Sequence, residues 1–275
     1  MAKQKRKKTR PARADSAQGG FSSAHFAQGQ GGYWDESRKP LTSLAFLLPL
    51  ILLYQIQIAR LLATSEGVLT NRAHLGMVRL LELVGMSPKA LFLPGFLLIA
   101  ILLTQHAWSR RPWRVDLATV VRMHGESLGW AFAVLVASQL LLRAAPVAAS
   151  GVDFASLPLA SRIAVAIGAG LYEELIFRMT MFYAIGTLFH DLLGLSRKHA
   201  MAIAVGLSSI LFMGYHSIHD ESGAVVWSLA FFYFAAGIAF GLIYARRGFG
   251  IAAGTHAFYD IATALLAATA ARGAT

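Results

Sequence analysis

Seven stretches of this chain are apolar over roughly the length of a membrane-crossing helix: residues 41–59, 91–108, 126–145, 160–189, 200–218, 224–245 and 249–271. A hydrocarbon core about 30 Å thick is crossed by roughly 20 helical residues. The repeated runs therefore predict an all-α, polytopic membrane helix bundle of about seven transmembrane helices. Composition agrees: of 275 residues, 56% are hydrophobic and only 14% charged, a balance foreign to soluble enzymes of this size. The fourth stretch is long enough to tilt or to project beyond the bilayer. No internal repeat is evident. There is no cysteine, which excludes disulfides, thiolate zinc sites and cysteine nucleophiles.

The flanking sequence sorts into three parts. Residues 1–38 open with "MAKQKRKKTR", which holds six Lys and Arg, and continue rich in Gly, Ala, Ser and Gln. Too few apolar side chains are present to offset the entropy of ordering them, so a disordered basic tail is expected. No apolar run follows the charges closely enough for a secretory signal peptide. The basic residues behind the formal charge of +11 are densest at that end, and the run is read as a contact with anionic lipid headgroups, with no nucleic-acid partner. Residues 39–158 form the amino-terminal helices. Between the first two spans, Leu75, Val78, Leu81 and Leu83 predict a short amphipathic helix at the membrane surface. Residues 159–272 form the third part, a membrane core expected to hold the catalytic site. With the amino terminus inside, 17 Lys and Arg fall in inner segments and seven in outer ones. The positive-inside rule thus favours a cytoplasmic amino terminus.

Ionisable residues inside a membrane are costly, by about 3 kcal/mol or more each, and mark function or a partner. In "LYEELIFRMT" Glu174 and Arg178 are four apart and share a helical face, where they can form a bidentate ion pair. Such a pair can serve only to neutralise itself and orient its neighbours. Glu173 lies about 100° around the helix and remains a candidate general base, unless it too serves Arg178 or another helix. In the fifth stretch Phe212 and His216 are four apart, and in the seventh so are His256 and Asp260, so each pair projects from one face. His190, His199 and His219 read as interfacial residues. The Ala- and Gly-rich setting of His256 and Asp260 permits close helix contact and a buried site. These groups suit water activation by Glu173 or His216 with His256 donating to an oxyanion. A Glu/His/His zinc site is also allowed, although HExxH is absent. Counting about 1.5 Å per residue puts Glu173, His216 and His256 at different depths, so helix ends must shift or helices tilt for them to meet.

Three motifs carry a resemblance. "EELIFR" has the form EExxxR, "FMGYH" the form FxxxH, and "HAFYD" follows HxxxN with Asp in the last place. In this order, on late membrane spans, they resemble the CPBP family of glutamic intramembrane proteases, which includes the CAAX prenyl endopeptidases and the bacterial Abi proteins. The resemblance covers roughly residues 160–270 and leaves the first 150 unmatched. It implies a hydrolase with Glu173 as catalytic carboxylate, His216 as its partner in activating water, and His256 as oxyanion donor. It further implies Asp260 in the place of the assisting Asn, with Glu174, Arg178 and Phe212 as support and no cofactor. An ionised Asp accepts hydrogen bonds and donates none, so Asp260 could orient His256 but not stabilise an oxyanion. The implied substrate is a membrane-associated protein or peptide: a carboxyl-terminal sorting segment, a peptide precursor or a CAAX tail. The expected setting is the lipid bilayer of a bacterial inner membrane. Two other functions use the same residues. One is a non-catalytic immunity or peptide-binding protein, and the other is a proton-coupled transporter with a carboxylate and histidine relay, against which the missing repeat argues.

Overall fold

The computed structural model of the chain describes residues 32–63, 71–87, 91–143 and 158–273. Its elements are helices, and the sole β feature among the described residues is an isolated antiparallel bridge between His219 and Val225. Four helices precede the loop at 110–116: α1 (Tyr33–Glu36), α2 (Pro40–Ala63), α3 (Arg72–Leu83) and α4 (Leu93–Ser109). After it come α5 (Leu117–Arg143) and a rod over 159–192. The rod begins as α6 (Leu159–Gly168), includes α7 (Met181–Gly186), and is π-helical at Ala169–Glu173, Leu175–Thr180 and Thr187–Leu192. Last come α8 (Arg197–Tyr215) and α9 (Trp227–Gly273).

Helix thus lies over every apolar stretch. Among the described residues, three segments are long and apolar enough to cross a membrane by length and composition alone: Pro40–Arg60, Arg197–Tyr215 and Trp227–Thr269. The third has 43 residues, which as a straight helix would reach about 65 Å, twice the hydrocarbon thickness. It does not stay straight. Gly248 has φ 79° and ψ −176°, a conformation that glycine enters without steric cost. The chain folds back there. Phe240 and His256, equally far from Gly248 on either side, stack with ring centroids 4.4 Å apart.

The faces of α2 show why such a bundle belongs in lipid. Phe46, Leu47, Ile51, Tyr54 and Ile58 are buried against the rest of the bundle, while Leu48, Leu52, Leu53 and Ile56 on the opposite side are exposed. A helix apolar all round needs an apolar medium on its outer face. The protein is an integral membrane protein.

Two features differ from the sequence reading. α3 forms, but its buried side is Ala73, His74, Met77 and Val78, while Leu83 and Leu75 point outward. Of the four residues expected to define the apolar face, Val78 alone is buried. The reason is a polar anchor: Tyr54 and His74 Nδ1 share a 2.6 Å hydrogen bond, which turns that side of α3 toward α2. Burial pushes the His74 imidazole down to about 4. The second difference concerns the expected tail. Residues 1–31 lie outside the described part, but Tyr33–Glu36 is helical and Ser37 is buried. Arg247, one of the 17 Lys and Arg assigned above to inner segments, is the cause. Its guanidinium is buried in α9, donating from Nε to Glu126 Oε1 at 2.5 Å and from Nη2 to Glu126 Oε2 at 2.7 Å. Nη2 also donates to Ser37 Oγ at 2.9 Å, and the Trp34 ring lies 3.8 Å from the guanidinium carbon. Tyr33 donates to Glu126 Oε2 at 2.5 Å. Its own phenol is pushed up to about 12, by burial first and then by that carboxylate.

Candidate active site

The rod and the second half of α9 touch at backbone distance. A Cβ on Gly170 would lie 2.4 Å from the backbone nitrogen of Ala257, so no larger residue fits. This approach sets "EELIFR", three residues further along, beside His256. The π-helical turns on either side of Glu174 widen the helix, a distortion that recurs at functional sites. Both carboxylates end up buried but aimed at different neighbours.

Glu174 Oε1 accepts from His256 Nδ1 at 2.8 Å and lies 3.2 Å from Arg178 Nη1. The pair is therefore a single contact rather than the bidentate fork that spacing allowed, because the same oxygen also serves the histidine. Arg178, buried, donates from Nη2 to the Gly237 carbonyl at 3.2 Å, and its guanidinium carbon lies 4.4 Å from the centre of the Phe212 ring. His256 Nε2 lies 3.4 Å from Asp260 Oδ2, so both nitrogens of His256 face carboxylate oxygens. Phe240 stacks on one face of its ring.

Glu173 faces the other histidine, with Oε2 3.8 Å from His216 Nε2. The Nδ1 of His216 lies 2.8 Å from the Phe212 carbonyl oxygen. A carbonyl only accepts, so Nδ1 carries a proton, and in the neutral ring Nε2 presents its lone pair toward Glu173. Tyr233 stacks on this ring at 4.0 Å, and Phe212 packs against it at 4.5 Å. The depth conflict disappears because α8 ends at Tyr215 and His216 is its C-cap, in extended backbone with φ −85° and ψ 158°. The fifth helix thus begins and ends about three residues earlier than expected. Its carboxyl end stops at the level of Glu173 instead of running past it.

All seven residues singled out from the motifs therefore meet in one cluster. Phe212 touches three of them: Arg178, His216 and, at 6.1 Å between ring centroids, His256. Among the described residues, no group of three or more His, Asp and Glu is arranged to hold a metal ion. Residues 155–262 match a family model described as type II CAAX prenyl endopeptidase Rce1-like. Over this segment the chain is similar to the CAAX protease family. No curated protein and no solved structure matches the chain. The match makes this part of the chain protease-like, and the matched span contains every motif residue of the cluster. Sequence reasoning missed the aromatic platforms Tyr233 and Phe240. Their separation of seven residues, two helical turns, put them on one face, but in an apolar span that face is indistinguishable from one meeting lipid.

Proposed function

We propose that the chain is an intramembrane endopeptidase that hydrolyses a peptide bond of a membrane-associated protein or peptide with a water held between Glu173 and His216. The observation that carries this reading is the 3.8 Å between Glu173 Oε2 and Nε2 of His216, whose Nδ1 is taken up by the Phe212 carbonyl. That gap is too long for a direct hydrogen bond and suits a bridging water. Both groups accept, so the water directs one hydrogen to each and turns an oxygen lone pair toward a carbonyl. Glu173 takes the proton as the C–O bond forms. The tetrahedral oxyanion then accepts from His256 Nε2–H, which lies loosely against Asp260 at 3.4 Å. Glu173 returns its proton to the amide nitrogen as the C–N bond breaks, so the carboxylate is regenerated and one water is consumed.

In this reading Glu174 is more than a partner for Arg178. Its oxygen fixes the Nδ1 side of His256, and Arg178 holds that oxygen in place. The substrate class extends from CAAX-type tails to carboxyl-terminal sorting segments and peptide precursors. The setting is a bundle of about seven spans with a cytoplasmic amino terminus, in the inner membrane of a bacterial cell. The chemistry requires no metal. Activity should survive chelators, and loss with rescue by zinc would replace this mechanism by a zinc-dependent one. The deciding experiment compares peptide termini in membranes and medium of cells carrying wild-type protein or Glu173→Gln at equal abundance. Termini that vanish in the variant support proteolysis and identify the substrate. Identical termini with an intact phenotype would favour a binding or immunity protein of the same fold.

A further inference from the structure

A groove between α5 and the first half of α9 has no part in the mechanism above. It encloses about 400 Å³, within the roughly 300–1,000 Å³ of sites that take small organic molecules. Its α5 wall lies outside the segment that matches the CAAX protease family model, and none of the seven motif residues lines it. Ala133 and Ala137 on α5 and Ala236 and Ala239 on α9 do line it, and their short side chains leave a trough that larger residues would close. From Phe232 to Arg246 the trough follows α9 for about 21 Å, more than half of a hydrocarbon core about 30 Å thick.

The charges gather at one end. Trp34, Trp130, Arg246 and Arg247 line the groove there, and indole rings are side chains that settle at headgroup level. Arg247 is buried and spends Nε and Nη2 on Glu126 and Ser37, but its Nη1 has no hydrogen-bond partner among the described residues. Arg246 is exposed and makes no ion pair among the described residues. Its carbonyl accepts from Arg38 Nη2, which brings a third guanidinium to the mouth. A second, more open hollow of about 480 Å³ lies across Leu242 and Arg246, against Lys198, Met201 and Gly206 of α8. Lys198 is exposed and likewise makes no ion pair among the described residues. Arg246 therefore stands on a ridge between two apolar troughs, with uncompensated positive charge at their shared end.

We propose that this place binds one diacyl phospholipid with an anionic headgroup, an acyl chain in each trough and the phosphate on Arg246. A planar guanidinium fork matches phosphate, and a phosphate oxygen is the acceptor that Arg247 Nη1 lacks. The free cations outnumber a single phosphate charge, which favours a headgroup of net negative charge over phosphatidylcholine, whose ammonium group they repel. The site is separate from the basic run at the start of the chain and stands whether or not the protein cuts peptides.

The test counts lipid bound per chain by native mass spectrometry. Full-length protein in a neutral detergent is titrated with palmitoyl-oleoyl phosphatidylglycerol or with the phosphatidylcholine of the same chains. The wild-type chain should hold one phosphatidylglycerol about tenfold or more tighter than phosphatidylcholine, as a charge-assisted contact gives. Arg246→Met should cut the preference below about twofold, and Arg246→Lys should keep part of it. Ala236→Phe, which fills the trough and alters no charge, should weaken both lipids. Lysophosphatidylglycerol, with one chain, should bind several-fold more weakly than the two-chain lipid. The combined changes Lys5→Gln, Arg6→Gln, Lys7→Gln and Lys8→Gln should leave the bound lipid in place, and inorganic phosphate should not displace it. Gel filtration in detergent checks that each variant is folded. No preference in the wild-type chain, binding unchanged by Arg246→Met or by Ala236→Phe, or equal binding of the single-chain lipid would overturn the proposal. So would loss of the lipid in the tail variant, which would assign it to the basic run, or displacement by inorganic phosphate, which would reduce the site to one for a free anion.

Discussion

Glu126→Gln should destabilise the folded protein by about 3 kcal/mol, the lower end of the cost of removing one partner from a buried ion pair. Arg247 has a side chain only 2% exposed and gives Glu126 two charged hydrogen bonds, at 2.5 and 2.7 Å. Without the carboxylate the guanidinium keeps Ser37 and the Trp34 ring, which places the loss at the low end of the range. Arg247→Met should cost less, about 2 kcal/mol, because Glu126 is 17% exposed and keeps bonds from Tyr33 and Trp130 that partly replace what it loses. The double variant Glu126→Leu with Arg247→Met removes both charges. It should recover most of the damage and leave a coupling of about 2 kcal/mol or more in the double-mutant cycle. The assay is denaturant unfolding in mixed micelles followed by tryptophan fluorescence, with Trp34 and Trp130 at the pair as reporters. Single changes below about 0.5 kcal/mol, the level of an exposed pair, or a double variant no better than the sum of its parts, would refute the reasoning.

The other expectations follow from the same contacts. Exchanging the charges, Glu174→Arg with Arg178→Glu, should preserve more folded protein than either single change but recover no proteolysis, because His256 Nδ1 then loses its acceptor; equal loss of folding in all three variants, read by detergent gel filtration, would reject the pairing. Asp260→Asn should keep kcat within a few-fold, since an amide oxygen can still face His256 Nε2, whereas Asp260→Leu should lower kcat by about tenfold or more through loss of ring orientation; identical kcat for the two variants would remove Asp260 from any orienting role. His74 is held near 4, below its ordinary value, so the unfolded chain binds a proton there that the folded chain does not. Its contribution is complete above the unfolded value near 6.5 and is lost as pH falls from about 6.5 toward about 4, by up to about 3 kcal/mol. Unfolding of wild type and His74→Gln between pH 7 and 4 should therefore converge as acid is added, and parallel curves would contradict this.

Legibility followed dimension. Apolar length and four-residue spacing are properties of one helix, so the helical positions and the grouping of Glu174 with Arg178, Phe212 with His216 and His256 with Asp260 could be read from the chain. What spacing could not reveal are the contacts between helices. Arg247 reads as an ordinary loop cation until Gly248 folds α9 on itself and α5 brings Glu126 to the break. Val78 keeps to the buried side of α3 but Leu75 and Leu83 do not, because the Tyr54–His74 hydrogen bond decides the rotation of that helix and no hydrophobic periodicity records it.

The placement of Glu173 depends on the same kind of contact. In an ordinary α-helix, neighbouring carboxylates diverge by about 100° and one of them leaves the site. Gly170 lets α9 approach to backbone distance, and the π-helical turns keep both carboxylates buried on the side of their histidines. The two features depend on each other, since a rod pushed away from Ala257 would lose the 2.8 Å bond between Glu174 and His256 however its turns were wound. Gly170→Ala should therefore abolish proteolysis while Glu173, His216 and His256 all remain present. Its Cβ would have to displace the Ala257 backbone from 2.4 Å, and a backbone cannot rotate away as a side chain can. Full activity in Gly170→Ala would show that the rod and α9 need not touch, and that the cluster is assembled by something other than this contact.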